Sequence, residues 1–373
     1  MKFTIEKEVL LQGLNKVSKA ISSKNLIPIL SGVKFNLTKE GLFLSASDND
    51  ISIETFIPSN DIKEISEIGS TVIQGKYIIE IIRKLDDKII NITLLDGIKV
   101  LISCGNSEFN LNCMDSDEFP NLDIIEQKDP IIISKEEFKD IINKTSFAIS
   151  TQETRPILTG INLKIKNNNM EAIATDSYRL AKKTIKINKE VKENIDTVIP
   201  GKNLIELSKI LDENENNIEM HLFNNKVLFK FDNTMFQTRV LAGTFPDVER
   251  LVPTSFELEI KANQSEFYNV IDRAALLTSE KDKNIVKFEC SKNELIVSSN
   301  SPEIGRVEEK MNVEKNIDED IKIAFSSRFM MDALRTIKSE NVILNFNGDV
   351  KPIIIYDEDD KSVLQLILPI KTY

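Results

Sequence analysis

The apolar residues of the chain recur with two different periods. From Lys7 to Ile21 they are spaced by four, three and four residues, which predicts a helix with one buried face. From Val33 to Ile53 apolar and polar residues alternate, which predicts half-buried antiparallel strands joined by hairpin turns. A second helix is predicted from Tyr77 to Leu85, and alternating strands follow as far as Asn112. The pattern therefore predicts a unit of two short helices and several antiparallel strands.

Short motifs indicate that this unit is repeated. Pro28-Ile29-Leu30 and Ala46-Ser47-Asp48 return 128 residues later as Pro156-Ile157-Leu158 and Ala174-Thr175-Asp176. Ser298-Ser299-Asn300 lies at the corresponding place of a third, more diverged copy. Two separate matches at one offset indicate an internal duplication. The sequence thus predicts an α+β chain of three repeated antiparallel-sheet domains, each with two helices, over residues 1–127, 128–253 and 254–373.

The composition is that of an ordinary globular protein. Hydrophobic residues make up 41% of the chain and charged residues 29%, and no long uncharged apolar run occurs. No apolar stretch follows the charged first residues, which disfavours a secretion signal. The three cysteines, Cys104, Cys113 and Cys290, form no CxxC motif and no even set. These features predict a cytoplasmic chain with reduced thiols and no membrane contact.

The net charge of −11 at first disfavours a partner rich in phosphate, because phosphate contact is normally made by Lys and Arg. All six predicted helices nevertheless place Lys or Arg beside their apolar face. Surface lysine is common, but its repetition in all three units strengthens the pattern. The pattern implies that the acidic residues are concentrated outside the helices.

Residues that could perform chemistry are few. His221 has no cysteine or second histidine with which to share a metal, which favours a structural role. Asp48-Asn49-Asp50 lacks the glycine and the distant glutamate of a calcium loop, and no glycine-rich phosphate loop occurs. Asp357-Glu358-Asp359-Asp360 is predicted to be a solvated hairpin tip. No cofactor and no metal are predicted, and a binding or architectural role is favoured over catalysis.

Several motifs resemble the family of the bacterial DNA polymerase III beta subunit, the sliding clamps. They are Met1-Lys2-Phe3-Thr4, Pro28-Ile29-Leu30, Arg155–Gly160, Ala174–Ala181, Phe245-Pro246-Asp247 and Leu368–Tyr373. The resemblance covers the whole chain. It implies a non-enzymatic, ring-forming clamp fold in which two copies join head to tail around duplex DNA. It also implies that the replicative polymerase, the clamp loader and repair polymerases dock through short peptide segments.

The resemblance further implies roles for individual residues. The partner-peptide groove would be lined by Leu158, Thr175, Tyr178, Arg179, Leu180, Pro246, Arg250, Leu251, Met330, Leu368, Pro369, Ile370 and Lys371. The bases facing DNA would be Lys16, Lys19, Lys24, Lys76, Arg83, Lys139, Lys144, Lys202, Arg273, Arg328 and Arg335. The dimer interface would use Lys76, Phe109, Leu111, Leu276, Leu277, Glu303, Glu308 and Glu309.

Two other interpretations stay open at this point. A multidomain scaffold or adhesion protein built from the same repeat predicts no basic face common to the helices. An enzyme with its site between the second and third domains, around Asp176 and Arg179, predicts a convergent polar cleft instead of an apolar groove.

Overall fold

The computed structural model describes residues 1–21, 27–212, 216–279, 281 and 283–371 of the chain, without the side chain of residue 192. Within these ranges there are six α-helices and 24 strands, and every pair of neighbouring strands is antiparallel. The α+β character and the two short helices per repeat are thus confirmed.

The helices are 8 to 12 residues long. They are α1 (Lys7–Val17), α2 (Gly75–Lys84), α3 (Lys135–Thr145), α4 (Gly201–Ile210), α5 (Gln264–Ala275) and α6 (Ser327–Leu334).

The strands fall into three groups along the chain. The first group is β1 (Lys2–Glu6), β2 (Gly32–Leu37), β3 (Gly41–Ser47), β4 (Ile51–Pro58), β5 (Ile62–Glu67), β6 (Gly69–Gln74), β7 (Ile89–Leu95), β8 (Lys99–Cys104) and β9 (Ser107–Met114). The second is β10 (Ile131–Ser134), β11 (Gly160–Thr175), β12 (Arg179–Pro200), β13 (Asn217–Leu222), β14 (Lys226–Phe231) and β15 (Thr234–Arg239). The third is β16 (Leu258–Asn263), β17 (Ile285–Ser291), β18 (Glu294–Ser301), β19 (Gly305–Asn312), β20 (Glu314–Lys315), β21 (Ile321–Ser326), β22 (Asn341–Phe346), β23 (Ile353–Asp357) and β24 (Val363–Ile367).

The helix ends follow local capping chemistry. The hydroxyl of Ser134 accepts a hydrogen bond from the backbone N–H of Glu137 (3.1 Å), and Asn263 caps α5 through the N–H of Glu266 (3.0 Å). The first helix is shorter than its predicted range, because α1 ends at Val17 and the chain continues as a 3₁₀ turn over Ser18–Ala20. A tighter last turn is common where the final carbonyls lack helical partners.

One compact unit comprises Met1–Phe138 and Asn203–Val240. Its strands form a sheet in the order β10-β13-β14-β15-β4-β3-β2-β6-β9-β8-β7-β1-β5. Helix α1 packs on this sheet and buries Leu10, Leu14 and Val17, the face that the sequence predicts.

The other compact unit comprises Lys139–Lys202 and Leu241–Tyr373. It contains one sheet in the order β11-β12-β24-β23-β22-β16-β20 and a second in the order β19-β18-β17-β21. One core of this unit packs Phe267 and Ile271 of α5 and Met330 of α6 against Phe288 and Phe346. The predicted domain boundaries stay predictions.

The duplication extends to backbone detail. Pro28–Ser31 and Pro156–Thr159 both form 3₁₀ turns with proline at the start, and each leads into a glycine. A Cβ on Gly32 would lie 2.4 Å from the Val72 side chain, and a Cβ on Gly160 would lie 2.5 Å from Val198. The two glycines therefore permit the same close approach of neighbouring strands.

Candidate functional site

The turn that joins β11 to β12 is held by the side chain of Asp176. Its Oδ1 accepts hydrogen bonds from the backbone N–H groups of Tyr178 (2.9 Å) and Arg179 (3.0 Å). Ser177 adopts a φ of 78°, and the hydroxyl of Thr175 donates to the carbonyl of Arg179 (2.6 Å). An aspartate that bonds the backbone two and three residues further on forms an Asx turn. The turn leaves the side chain of Tyr178 63% exposed.

Arg179 lies beneath this turn and is only 8% exposed. Its Nε donates to Oδ2 of Asp176 (3.0 Å), and its Nη1 donates to Oδ2 of Asp332 (2.7 Å). The guanidinium also lies over the rings of Phe329 and Phe147, with carbon-to-centroid distances of 4.4 and 5.3 Å. A planar guanidinium suits both kinds of contact. Because these partners lie within the chain, Arg179 positions the turn, and its part in lining the groove stays a prediction.

The C-terminal segment runs beside the same turn. After β24, the N–H of Leu368 donates to the carbonyl of Tyr178 (2.9 Å). Two residues later, the N–H of Ile370 donates to the carbonyl of Ala324 (2.7 Å). These two backbone bonds hold the segment from Leu368 to Ile370 against the turn.

A buried apolar cluster lies under the turn, the loop of residues 245–252 and β24. It consists of Leu158, Ile173, Leu180, Val198, Phe245, Val248, Ile354 and Leu366. Around it, Leu251 is 48% exposed and Leu368 is 37% exposed. Apolar side chains that stay exposed together are typical of interaction surfaces. We name the exposed and half-buried apolar residues of the turn, the 245–252 loop and the C-terminal segment the apolar rim: Tyr178, Pro246, Leu251, Leu368, Pro369 and Ile370.

The other residues predicted for the groove differ in position. Leu158, Thr175 and Leu180 are buried, so they lie under the rim and do not line an open surface. Met330 is fully buried in the α5–α6 core, and its assignment to the groove is wrong because its side chain is enclosed by that core. Arg250 and Lys371 are exposed, and their roles stay predictions.

A lysine–aspartate network lies in the same unit and corrects two predictions. Lys144 is 3% exposed, with Nζ 3.4 Å from Asp360 and 3.8 Å from Asp357, so the prediction that it faces DNA is wrong. Lys183 of β12 donates to the same Asp360 carboxylate and to Ser362, both at 2.7 Å. The acidic run does join the paired strands β23 and β24, and Asp359 is exposed, but Asp357 is only 2% exposed, so the predicted solvation is wrong for Asp357. The strand order explains these contacts. The acidic run directly precedes β24, and β24 pairs with β12, which carries Lys183.

The charges of this network shift the pKa of the aspartates. Burial alone would raise the pKa of Asp360, but hydrogen bonds from Lys183 and Ser362 and the charges of Lys183 and Lys144 outweigh it. The pKa of Asp360 is therefore well below its usual range. The pKa of Asp357 is also lowered, since hydrogen bonds outweigh its burial.

The remaining predicted DNA-facing bases reach solvent to different degrees. Those that are exposed are Lys76, Arg83, Lys202, Arg273, Arg328 and Arg335, and those that are half-buried are Lys16, Lys19 and Lys139. Arg83 pairs with Glu80 and Arg273 with Glu309. Pairs of this exposure contribute little energy, so a phosphate can compete for the base. Lys24 lies outside the described residues.

The six helices are basic compared with the rest of the chain. They carry 12 Lys or Arg residues and 9 Asp or Glu residues, a net charge of +3. The whole chain has a net charge of −11, so the acidic excess lies outside the helices.

Two strand edges bear on the predicted dimer interface. In the described chain, residues 107–112 of β9 hydrogen-bond to β8 on one side only, and β19 ends the sheet β19-β18-β17-β21. Phe109 is exposed on β9, and Leu276 is 77% exposed after α5. Glu308 pairs with Arg306 within β19.

The hydrogen-bond partner and the charged neighbours of His221 could not be predicted from the sequence pattern that was used. Its Nδ1 accepts the backbone N–H of Gln127 (2.8 Å), so the neutral ring carries its proton on Nε2. This Nε2 lies 3.4 Å from Glu219, and Glu126 is close by and paired with Lys230. The bond to the backbone of Gln127 thus fixes the orientation of the ring, and a protonated Nε2 offers no lone pair to a metal. Alternation in β13 could have revealed Glu219, which lies on the same strand face as His221.

Three family models match consecutive parts of the chain. They describe the N-terminal, central and C-terminal domains of the DNA polymerase III beta subunit, over residues 1–123, 132–247 and 249–371. The chain belongs to the DNA polymerase III beta subunit family. The resemblance found in the sequence is thus confirmed, together with the three-domain clamp fold.

Relatives cover this family member from end to end. The beta sliding clamp of Staphylococcus aureus is 41% identical over 377 residues, and that of Staphylococcus epidermidis is 42% identical over 378 residues, with full coverage of both chains. The crystal structure of the DNA polymerase sliding clamp from Bacillus subtilis matches with a TM-score of 0.95 and 40% identity, again over all of both chains. The function of the chain is accordingly that of a DNA sliding clamp. Within the described ranges, no helix is both long and apolar enough to cross a membrane.

Proposed function

We propose that two copies of this chain form a head-to-tail ring that encircles duplex DNA in the bacterial cytoplasm. The ring holds the replicative polymerase on its template and catalyses no reaction of its own. The observation that carries the proposal is the charge distribution, since helices with a net charge of +3 belong to a chain with a net charge of −11. A scaffold without DNA gives no reason for this separation.

The predicted DNA-facing bases, most of which are exposed, suit loose contact with phosphates. Contacts to the DNA backbone carry no sequence information, and individually weak ones allow movement along the duplex. Encirclement then supplies the retention that weak contacts cannot. The bases concerned are Lys16, Lys19, Lys76, Arg83, Lys139, Lys202, Arg273, Arg328 and Arg335, together with Lys24.

The apolar rim is the proposed docking site for short peptide segments of the polymerase, the clamp loader and repair polymerases. Apolar anchors with a few polar neighbours, such as Arg250 and Lys371, are typical of peptide recognition. The rival enzyme is less well supported, because the polar atoms of Asp176 and Arg179 are engaged within the chain. A catalytic pair needs polar groups that can reach a substrate.

The proposed dimer joins the free edge of β9 in one copy to β19 in the other. Strand addition satisfies the open backbone groups, and Phe109, Leu111, Leu276 and Leu277 supply apolar contact. Leu276→Asp should convert the dimer to a monomer in sedimentation, because a charge would be buried in that contact. Val350→Asp, at another well-exposed apolar site outside the proposed interface, should leave the dimer intact.

Retention on DNA tests the clamp directly. The protein is loaded on circular plasmid DNA by its own clamp loader, and the bound fraction is followed by gel filtration. It should remain bound until one restriction cut linearises the circle and then leave by sliding off the ends. Release that is equally fast from closed circles would contradict encirclement.

A further inference from the structure

One carboxylate joins the turn under the apolar rim to an exposed base at the C-terminal end of α6. Oδ2 of Asp332 in α6 accepts from Nη1 of Arg179 (2.7 Å), and its Oδ1 accepts from Nη1 of Arg335 (3.2 Å). Asp332 is 20% exposed, whereas Arg335 is 60% exposed. The two oxygens of the mostly buried Asp332 carboxylate thus bind different guanidinium groups, one internal and one exposed.

The bond from Arg179 to Asp332 helps to hold the turn that carries part of the apolar rim. Arg179 also bonds Asp176, which in turn holds the backbone N–H of Tyr178. The carbonyl of Tyr178 fixes the C-terminal segment through Leu368. Any change in how firmly Asp332 holds Arg179 therefore changes the order of the rim.

The exposed end of the path can respond to a phosphate. Nε and Nη2 of Arg335 donate to the hydroxyl of Tyr268 in α5 at 3.1 and 2.8 Å. Neither Tyr268 nor Asp332 encloses the guanidinium, and its exposed face is open to solvent. A DNA phosphate offers a charged, bidentate acceptor that competes well with an exposed carboxylate pair.

We propose that Asp332 is a positioning residue that couples occupation of Arg335 by DNA to partner binding at the apolar rim. DNA on the helix surface strengthens the hold of Asp332 on Arg179 and so tightens polymerase binding. The proposal rests on the proposed function, because it uses both the DNA face and the docking site.

The sign follows from electrostatics. When a phosphate draws Arg335 away, Asp332 no longer divides its charge between two guanidinium groups. The phosphate also repels the carboxylate toward Arg179, so the Arg179–Asp332 pair strengthens. A better ordered turn loses less conformational freedom when a partner binds, which raises affinity. Coupling between two sites is reciprocal, so the polymerase should tighten DNA binding by the same factor.

The experiment measures the dissociation constant of the complete dimer for the cell's replicative DNA polymerase, with and without a saturating short DNA duplex. We expect the duplex to tighten wild-type binding by about fivefold, at the low end of known couplings. In Asp332→Asn the ratio should fall to about one, while both ligands still bind. Thermal melting of each variant checks that it is folded.

Two matched variants separate coupling from simple loss of a phosphate contact. Arg335→Gln should bind polymerase tightly even without DNA, so that its ratio also falls to about one. Arg83→Gln removes an exposed base of α2 that has no bond to Asp332, and its ratio should stay that of the wild type. Three outcomes would overturn the coupling alone. Asp332→Asn could keep the wild-type ratio of dissociation constants without and with the duplex, or the two arginine variants could have equal ratios. The wild type itself could have a ratio of one although it binds both ligands. Failure of the wild type to bind either ligand would overturn the proposed function as well.

Discussion

The chain contains two equivalent junctions, each formed by an Asx turn and the pair of strands beside it. The two junctions expose different side chains. In the first junction the turn Ser47–Ile51 leads into β4, which pairs with β15. In the second junction the turn Thr175–Arg179 leads into β12, which pairs with β24. Asp48 bonds the N–H groups two and three residues on, as Asp176 does in the second turn. The two turns therefore have the same backbone frame.

The match continues at the end of the partner strand. The N–H of Arg239 donates to the carbonyl of Asp50 (3.3 Å), as that of Leu368 donates to the carbonyl of Tyr178 (2.9 Å). The first junction thus exposes a charged pair where the second exposes an aromatic and an aliphatic residue. The comparison teaches that one backbone frame can present either a charged or an apolar pair of side chains, and only the second presents the apolar pair that we propose for docking.

The opposite ends of the junctions also differ. In the first, the hydroxyls of Thr55 and Thr234 lie 2.9 Å apart, and Lys16 donates to Thr234 (3.3 Å). In the second, Lys183 and Lys144 share Asp360. The junction that carries the apolar rim is therefore held by ion pairs, whereas the other is held by hydrogen bonds to neutral hydroxyl groups. Buried ion pairs depend on complete pairing, so this end is also the more vulnerable one.

Asp360→Asn tests that vulnerability and should have the largest effect. It leaves two nearly buried lysines short of a charge partner, which should cost about 4 kcal/mol of unfolding free energy. Denaturant unfolding of the variant at neutral pH provides the measurement. The matched change at the first junction, Thr55→Val, should cost about 1 kcal/mol, because only neutral hydrogen bonds, to Thr234 and to the carbonyl of Asn233, are lost. Equal costs would refute the distinction between a charged and a neutral junction.

Exchanging the exposed pair tests the partner surface. Tyr178→Asp combined with Leu368→Arg gives the second junction the residues of the first and should weaken polymerase binding about a hundredfold, or ~2.7 kcal/mol. Surface plasmon resonance with the immobilised polymerase measures the loss. The reverse exchange, Asp50→Tyr with Arg239→Leu, should leave polymerase affinity unchanged. If the reverse exchange weakened binding equally, docking could not be assigned to the second junction.

Much of the fold could be predicted from the sequence, because its signals are local. Apolar periodicity gave the face of α1, and the repeated motifs gave the equivalence of the turns after Asp48 and Asp176. The exposure of Tyr178 is also a local property of its turn.

The lysine–aspartate network could not be predicted in this way. Lys183 and Asp360 are 177 positions apart in sequence, and they meet only because β24 lies beside β12. Arginine is usually exposed, so nothing local indicated that Arg179 is enclosed by Phe147 and Phe329. Charge contacts of this kind depend on strand order, which periodicity does not determine.

The two Asx turns differ in what their aspartates support. Asp176→Ala should cost about 2 kcal/mol, because it removes a backbone cap and one charged partner of the buried Arg179. Asp48→Ala should cost about 1 kcal/mol, because it removes the cap alone. Denaturation midpoints of the two variants make the comparison, and a larger loss in Asp48→Ala would show that Arg179 does not depend on its turn.

Acid should lower the unfolding free energy through the second junction more than through the first. This is the smallest of the predicted effects. The pKa of Asp360 is lower in the folded chain than in the unfolded one, so its stabilisation is complete above the unfolded pKa of about 3.9 and is lost as pH falls below it. Between pH 4 and pH 3 the wild type should lose about 1 kcal/mol through this group. In denaturant unfolding, the unfolding free energy of Asp360→Asn should depend less on pH over that interval than that of the wild type. Thr55→Val should keep the wild-type dependence because no titrating group is removed. An unchanged slope in Asp360→Asn would mean that the junction owes its stability to groups other than this carboxylate.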